Sequence, residues 1–150
     1  MFSLIISIIA IALVAALAGA SVYYGGSAFN KGTAGADASA FVNAGQQIQG
    51  AFTLASTDGY SPTTLVSLSD STLDGDNTND KDVYLSQVPS YKGTVPTLDG
   101  DYISVAVSAQ VVEEMVDNRN AATVTGAGVA PSGELLAVNT DDNVAFYKVK

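Results

Sequence analysis

No charged side chain occurs before Lys31, and most of the residues ahead of it are apolar. The run opens Met1-Phe-Ser-Leu-Ile-Ile-Ser-Ile-Ile-Ala-Ile-Ala-Leu and ends in Tyr23-Tyr24-Gly25-Gly26. A bilayer core takes about 20 apolar residues in a helix, and Phe2 to Tyr24 meets that length. The two tyrosines fall where aromatic side chains mark the lipid–water boundary. Such a segment has to lie in lipid or be buried against copies of itself. A cleaved secretory signal is the third option, with Ala18-Gly19-Ala20 as its cut site. The absence of Lys or Arg at its start counts against that option.

Small residues recur inside the segment. Ser3 with Ser7, Ala12 with Ala16, and Ala16 with Ala20 repeat at four-residue spacing. In lipid that spacing lets helices approach closely, because packing rather than water exclusion drives their association. The expected organisation is therefore residues 1–30 as a membrane or assembly helix and residues 31–150 as an extracytoplasmic head.

The charge confines the head further. The chain carries 6 Lys and Arg against 15 Asp and Glu, a net charge of −9. No basic footprint for nucleic acid is present. The chain has no cysteine and no histidine. Disulfides, thiol nucleophiles and the commonest general base are thereby excluded, and the chain is not expected to be an enzyme. Glu113-Glu114 is a poor acid–base pair, because adjacent helical residues point about 100° apart and do not face each other. Gly126-Ala-Gly128 lacks the lysine and the strand–loop–helix setting of a phosphate loop.

A second helical stretch follows the first, from about Ser27 to Ser56. Ala40, Ala44, Ile48 and Phe52 are expected to share its buried face, flanked by Phe41, Ala51 and Ala55. Thr57-Asp58-Gly59 ends it. The two stretches read as one long helix, with Gly25-Gly26 as a place to kink. A short helix or turn is expected around Leu65 to Leu68, an extended segment at Val83 to Pro89, and a short helix at Val111 to Val116. Tyr102 to Ser108, Thr123 to Thr125, Glu134 to Val138 and Val144 to Val149 carry strand patterns. Asp99-Gly100-Asp101 reads as a turn before a strand. The fold class is α+β: a long helix under a small antiparallel sheet.

Asp74, Asp76, Asp80 and Asp82 alternate along one polar loop. Alternating oxygen ligands suit Ca²⁺, so these four are the candidate metal residues. Asn79 and Leu85 stand where an EF-hand needs Gly and Glu, which excludes that motif. The competing reading is a solvated acidic loop.

Three stretches together resemble a type IV pilin. Phe2-Ser-Leu-Ile-Ile-Ser-Ile-Ile-Ala-Ile-Ala-Leu looks like the amino-terminal helix of the mature family. Ala40-Phe-Val-Asn-Ala-Gly-Gln-Gln-Ile-Gln-Gly-Ala-Phe is similar to the second half of that helix in type IVb-like pilins. Tyr84-Leu-Ser-Gln-Val-Pro is similar to a segment beyond the variable loop. The resemblance implies a helical homopolymer: inserted in the inner membrane, processed from a basic leader, extracted by an assembly machinery, and displayed as a cell-surface pilus. Phe2, Leu4, Ile5, Ile8, Ile9, Leu13, Val14 and Leu17 would pack its core, with Gly19, Gly25 and Gly26 as points of flexibility. Two departures matter. The family's glutamate at the fifth mature position is replaced by Ile5, or by Ile6 if Phe2 comes first, so a terminal amine would turn to Ser3 or Ser7. The usual disulfide is absent, so hydrogen bonds, packing or a metal must hold the region between Val112 and Tyr147. The alternative is a monomeric, membrane-anchored binding domain with Ca²⁺ as its candidate ligand. A virion or other surface structural protein is a third reading.

Overall fold

The computed structural model describes residues 2–69 and 83–150. It shows a long apolar helix followed by a small five-stranded sheet, an α+β arrangement. The helix, α1, runs from Phe2 to Thr57. It continues as one helix through Gly25 and Gly26. No proline interrupts its hydrogen-bond ladder, and glycine alone weakens a helix without breaking it. Its end falls where the sequence places it, with Gly59 at φ +84° just beyond.

Beyond α1, a 3-10 turn covers Val66–Leu68. Strand β1 is Thr97–Asp99, β2 is Tyr102–Ala106, and helix α2 is Ala109–Arg119. Strands β3 (Ala122–Val124), β4 (Leu136–Asn139) and β5 (Val144–Lys148) follow. The sheet order is β1-β2-β5-β4-β3. Three of its pairings are antiparallel, but β3 and β4 run parallel, with Thr123 opposite Val138. The sheet is therefore mixed rather than wholly antiparallel. Residues 125–135 form the crossover that brings the chain back in the same direction. The expected extended segment at Val83 to Pro89 is irregular. In its place β1 forms the edge hairpin with β2, turning at Gly100 with φ +58°.

The core lies between α1 and one face of the sheet. Ala34, Ala38, Phe41, Gly45, Ile48, Phe52 and Ala55 are buried along α1, stepping alternately by four and three residues. That step keeps a stripe on one face of a helix with 3.6 residues per turn. Strict steps of four do not: from Ala40 to Phe52 the face drifts by about 120°. Ala40 is accordingly exposed, not buried as expected, whereas Ala44 is buried with Ile48 and Phe52. From the sheet, Ile103, Val105, Val138, Ala145 and Tyr147 meet this stripe, and from α2 come Val111, Val112 and Met115. A smaller cluster of Tyr102, Ala137 and Phe146 sits on the opposite sheet face.

Gly45 sets the closest approach of sheet to helix. A Cβ built there would lie 2.7 and 2.8 Å from the Tyr147 ring carbons Cδ1 and Cδ2. The ring thus takes the place of a side chain, and burial pushes the Tyr147 phenol above its ordinary pKa. Gly45→Ala should destabilise the head by about 1–3 kcal/mol through overpacking, although helix propensity alone would favour alanine by about 1 kcal/mol. Gly26→Ala, with nothing within 4 Å of the new methyl, should instead stabilise α1. Thermal unfolding of both variants by circular dichroism, on full chain in detergent, checks the contrast. A Gly45→Ala midpoint at or above wild type would contradict it.

Candidate assembly interface

From Phe2 to Thr33 the helix touches nothing that buries it: every residue there is exposed. The eight residues expected to pack a filament core all lie in this stretch, from Phe2 at 85% exposure to Ile5 at 51%. They do not form a stripe. Ile6, Ile11, Val22, Tyr23, Tyr24 and Phe29 are exposed as well, so the helix is apolar around its whole circumference. A helix of that kind belongs inside a large core or a membrane. Each large apolar side chain left in water forgoes about 1.5–3 kcal/mol of burial. With more than ten such side chains, an isolated chain in water is strongly disfavoured.

The segment is chemically complete as a membrane span. Phe2 to Tyr24 measures about 34 Å at the helical rise, against a hydrocarbon thickness of about 30 Å. Two of its serine hydroxyls find partners inside the helix: Ser7 Oγ donates to the Ser3 carbonyl at 2.9 Å, and Ser21 Oγ to the Leu17 carbonyl at 2.9 Å. Hydroxyl donors left unpaired in lipid would each cost several kcal/mol. Tyr23 and Tyr24 meet edge to face with centroids 5.6 Å apart, at the end of the span. Length and composition therefore make this a helix able to cross a membrane. Gly19, Gly25 and Gly26 have no neighbour within 4 Å of a would-be Cβ, so their substitution is free of steric penalty in the single chain.

Polar fasteners join the head to α1. Arg119, in the last turn of α2, donates through Nη2 to the Ser39 hydroxyl and, at 3.4 Å, to the Gly35 carbonyl. Lys92 pairs with Asp37 at 2.5 Å. The hydrogen bond to Asp37 raises the Lys92 pKa above the usual lysine value. Neither fastener is visible as a sequence motif, since each joins residues far apart in the chain.

The crossover at residues 125–135 is irregular, so its backbone groups need side-chain partners. Asn139, only 1% exposed, supplies several. Its Nδ2 donates to the Gly126 carbonyl at 2.8 Å, and its Oδ1 accepts from the Asp141 and Asp142 amides at 3.0 and 3.2 Å. The Asp141 and Asp142 carboxylates then accept from the Gly126 and Gly128 amides, each at 2.6 Å. Gly133 donates to the Tyr102 hydroxyl at 2.7 Å. Hydrogen bonding thus closes this cysteine-free region. Sequence reading missed these residues; the cluster Asn139-Thr-Asp-Asp142, set between two apolar strands, was the available signal.

The candidate calcium residues Asp74, Asp76, Asp80 and Asp82 lie outside the described residues. Among the described residues no group of three or more Asp, Glu, His or Cys is placed to hold a metal. Glu113 is exposed and lines an open groove with Glu114, Asp117 and Lys31. Compared with protein families, curated proteins and solved structures, the chain has no match.

Asn139→Ala should cost about 1–3 kcal/mol, because it leaves buried backbone groups unpaired. Native-state hydrogen exchange at the Gly126 and Gly128 amides should accelerate far more than exchange at Ile48 in α1. Equal acceleration at both places would mean that Asn139 supports the whole head rather than the crossover.

Proposed function

We propose that this chain is the structural subunit of a type IV pilus-like filament, polymerising through the front of α1 and displaying an acidic head. One observation carries the reading. A single unbroken helix is wholly exposed and apolar for its first half and is the buried spine of the head for its second. Rigid continuity means that covering the front half also fixes the head's position. Lipid covers it before assembly, and neighbouring copies cover it afterwards.

Helical stacking suits the shape. Copies repeated head to tail by a fixed step make heterologous, non-closing contacts. The small residues Ser3, Ser7, Ala12, Ala16 and Ala20 would let neighbouring helices come close. The Ser3 and Ser7 hydroxyl oxygens retain acceptor capacity, which would serve a terminal amine in place of the glutamate that pilins usually carry. The assembly machinery, the inner membrane and other copies are the partners in this reading. An anchored monomer uses the same helix in lipid only, and it leaves the small-residue spacings without a role.

Shearing cells and imaging the supernatant by electron microscopy, with mass spectrometry of the dominant protein, tests the proposal. Thin filaments made of this chain with the apolar segment intact are the expected result. Protein confined to the membrane pellet, with no filaments, would favour the anchored monomer. Ser7→Leu and Ala12→Leu should insert normally yet reduce polymer by about tenfold or more, since bulky side chains prevent close helix approach. Unchanged filament yield in both variants would remove helix packing as the cause of assembly.

A further inference from the structure

A groove of about 690 Å³ opens beside the end of α1, within the range of about 300–1,000 Å³ that small-molecule sites occupy. Its lining combines apolar rings with hydroxyls. Phe52, Pro62 and Val149 supply buried apolar surface, and the half-buried Tyr60 ring stands with them. Tyr60 stacks on Tyr84, with centroids 6.4 Å apart and planes 11° apart, which fixes the tilt of its ring. Thr53 Oγ1 donates to the Gln49 carbonyl at 2.9 Å, and Thr57 Oγ1 to the Thr53 carbonyl at 2.8 Å. With their protons committed, both oxygens are left as acceptors. Ser56 and Ser61 add exposed hydroxyls that can donate.

A cation edges the same groove. Lys150 Nζ sits 5.0 Å from the centre of the Phe52 ring, and a ring face holds an ammonium without neutralising it. No Asp or Glu lines the groove. The neighbouring recesses differ: Lys31 shares its lining with Glu113, Glu114 and Asp117, and Lys92 with Asp37. An anion entering beside α1's end therefore meets an ammonium and no acidic side chain. Position and charge narrow what that anion is. Ser56 lies about 48 Å along α1 from Tyr24, beyond the reach of lipid headgroups at the span. A single ammonium matches one carboxylate, whereas a chain of phosphates calls for several cations. A purely apolar acid would cover the Thr53 and Thr57 oxygens without offering them donors, which is costly.

We propose that this groove binds an acidic sugar, a hexuronic acid residue of a saccharide in solution. Its carboxylate pairs with Lys150. Its hydroxyls donate to the Thr53 and Thr57 oxygens and accept from Ser56 and Ser61. The C–H face of its ring packs on Tyr60, where many weak contacts add up. The site belongs to the head alone and holds whether or not the chain polymerises.

Saturation-transfer NMR titrations of the full chain, in a detergent whose headgroup carries no sugar, test this with glucuronate, glucose and hexanoate. Glucuronate should bind about tenfold more tightly than glucose, which lacks the charge-assisted contact to Lys150. It should also bind more tightly than hexanoate, which lacks the hydroxyls. Lys150→Gln, a change at an exposed side chain, should reduce glucuronate to the level of glucose. Tyr60→Leu should weaken both sugars, with circular dichroism confirming that the head stays folded. Lys31→Gln, in the other groove, should change nothing. No binding of glucuronate to wild type, or undiminished binding to Lys150→Gln, would overturn the site. Hexanoate binding as tightly as glucuronate would overturn the sugar assignment, because the hydroxyls would then go unread. A loss with Lys31→Gln but not with Lys150→Gln would place the ligand in the groove against α2 and would equally overturn the proposal.

Discussion

One helix does two jobs that physics usually assigns to separate elements. Its front half has no partner within the described residues, and its rear half is the surface on which the sheet and α2 condense. The sheet cannot be moved off the helix without exposing Phe41, Ile48 and Phe52, all nearly inaccessible to solvent. The helix in turn is covered along its front by none of the described residues. The head is therefore built on the continuation of a segment that is disfavoured in water. Whatever covers the front half, lipid or copies, inherits a rigid handle on the head. The contact between Gly45 and Tyr147 is the tightest expression of that rigidity, because it leaves no slack in which the sheet could slide along α1.

Much of this is legible in the order of residue types. The uncharged start, its length and its small residues are enough by themselves to specify an apolar helix that needs an outside partner. The end of α1, α2 and the strands β2, β4 and β5 also follow from local pattern. What escapes such reading depends on distant partners. The buried stripe of α1 is misphased at Ala40 because steps of four drift around a helix, and the sheet fixes which of two adjacent stripes is chosen. The parallel pairing of β3 with β4 depends on a crossover that has no periodicity of its own. Strand β1 is three residues long, too short to carry a pattern, and exists because Gly100 turns it back onto β2. The polar fasteners are invisible for the same reason: Ser39 and Arg119, or Asp37 and Lys92, are unremarkable alone.

The crossover shows how a chain without cysteine closes a loop. A disulfide would act mainly by restricting the unfolded chain. Here the restriction is made in the folded state, by a buried amide and two carboxylates that occupy the glycine amides one by one. Gly126 and Gly128 both hold positive φ, at +107° and +71°, so the backbone presents its N–H groups where side chains can reach them. The arrangement is directional where a disulfide is covalent. It is also reversible and indifferent to redox conditions.

Attraction and repulsion are segregated along the molecule. The long uncovered apolar surface lies before residue 34, where Lys31 is the only charge, and the acidic groups lie beyond it. In the proposed filament this would place cohesion on the axis and like charge in the shell. At physiological ionic strength exposed charges separated by more than about 8 Å are largely screened, so the net charge of −9 acts less as a global field than as a set of neighbour-to-neighbour encounters. Where two acidic surfaces meet, stacking is opposed; where an acidic surface meets a scarce cation, it is favoured. With so few cations, one of them tied to Asp37 and another to Ser39, few stackings remain that avoid acid against acid. In such a filament, scarcity of positive charge would favour the register that the apolar helix, alike on every side, cannot select for itself.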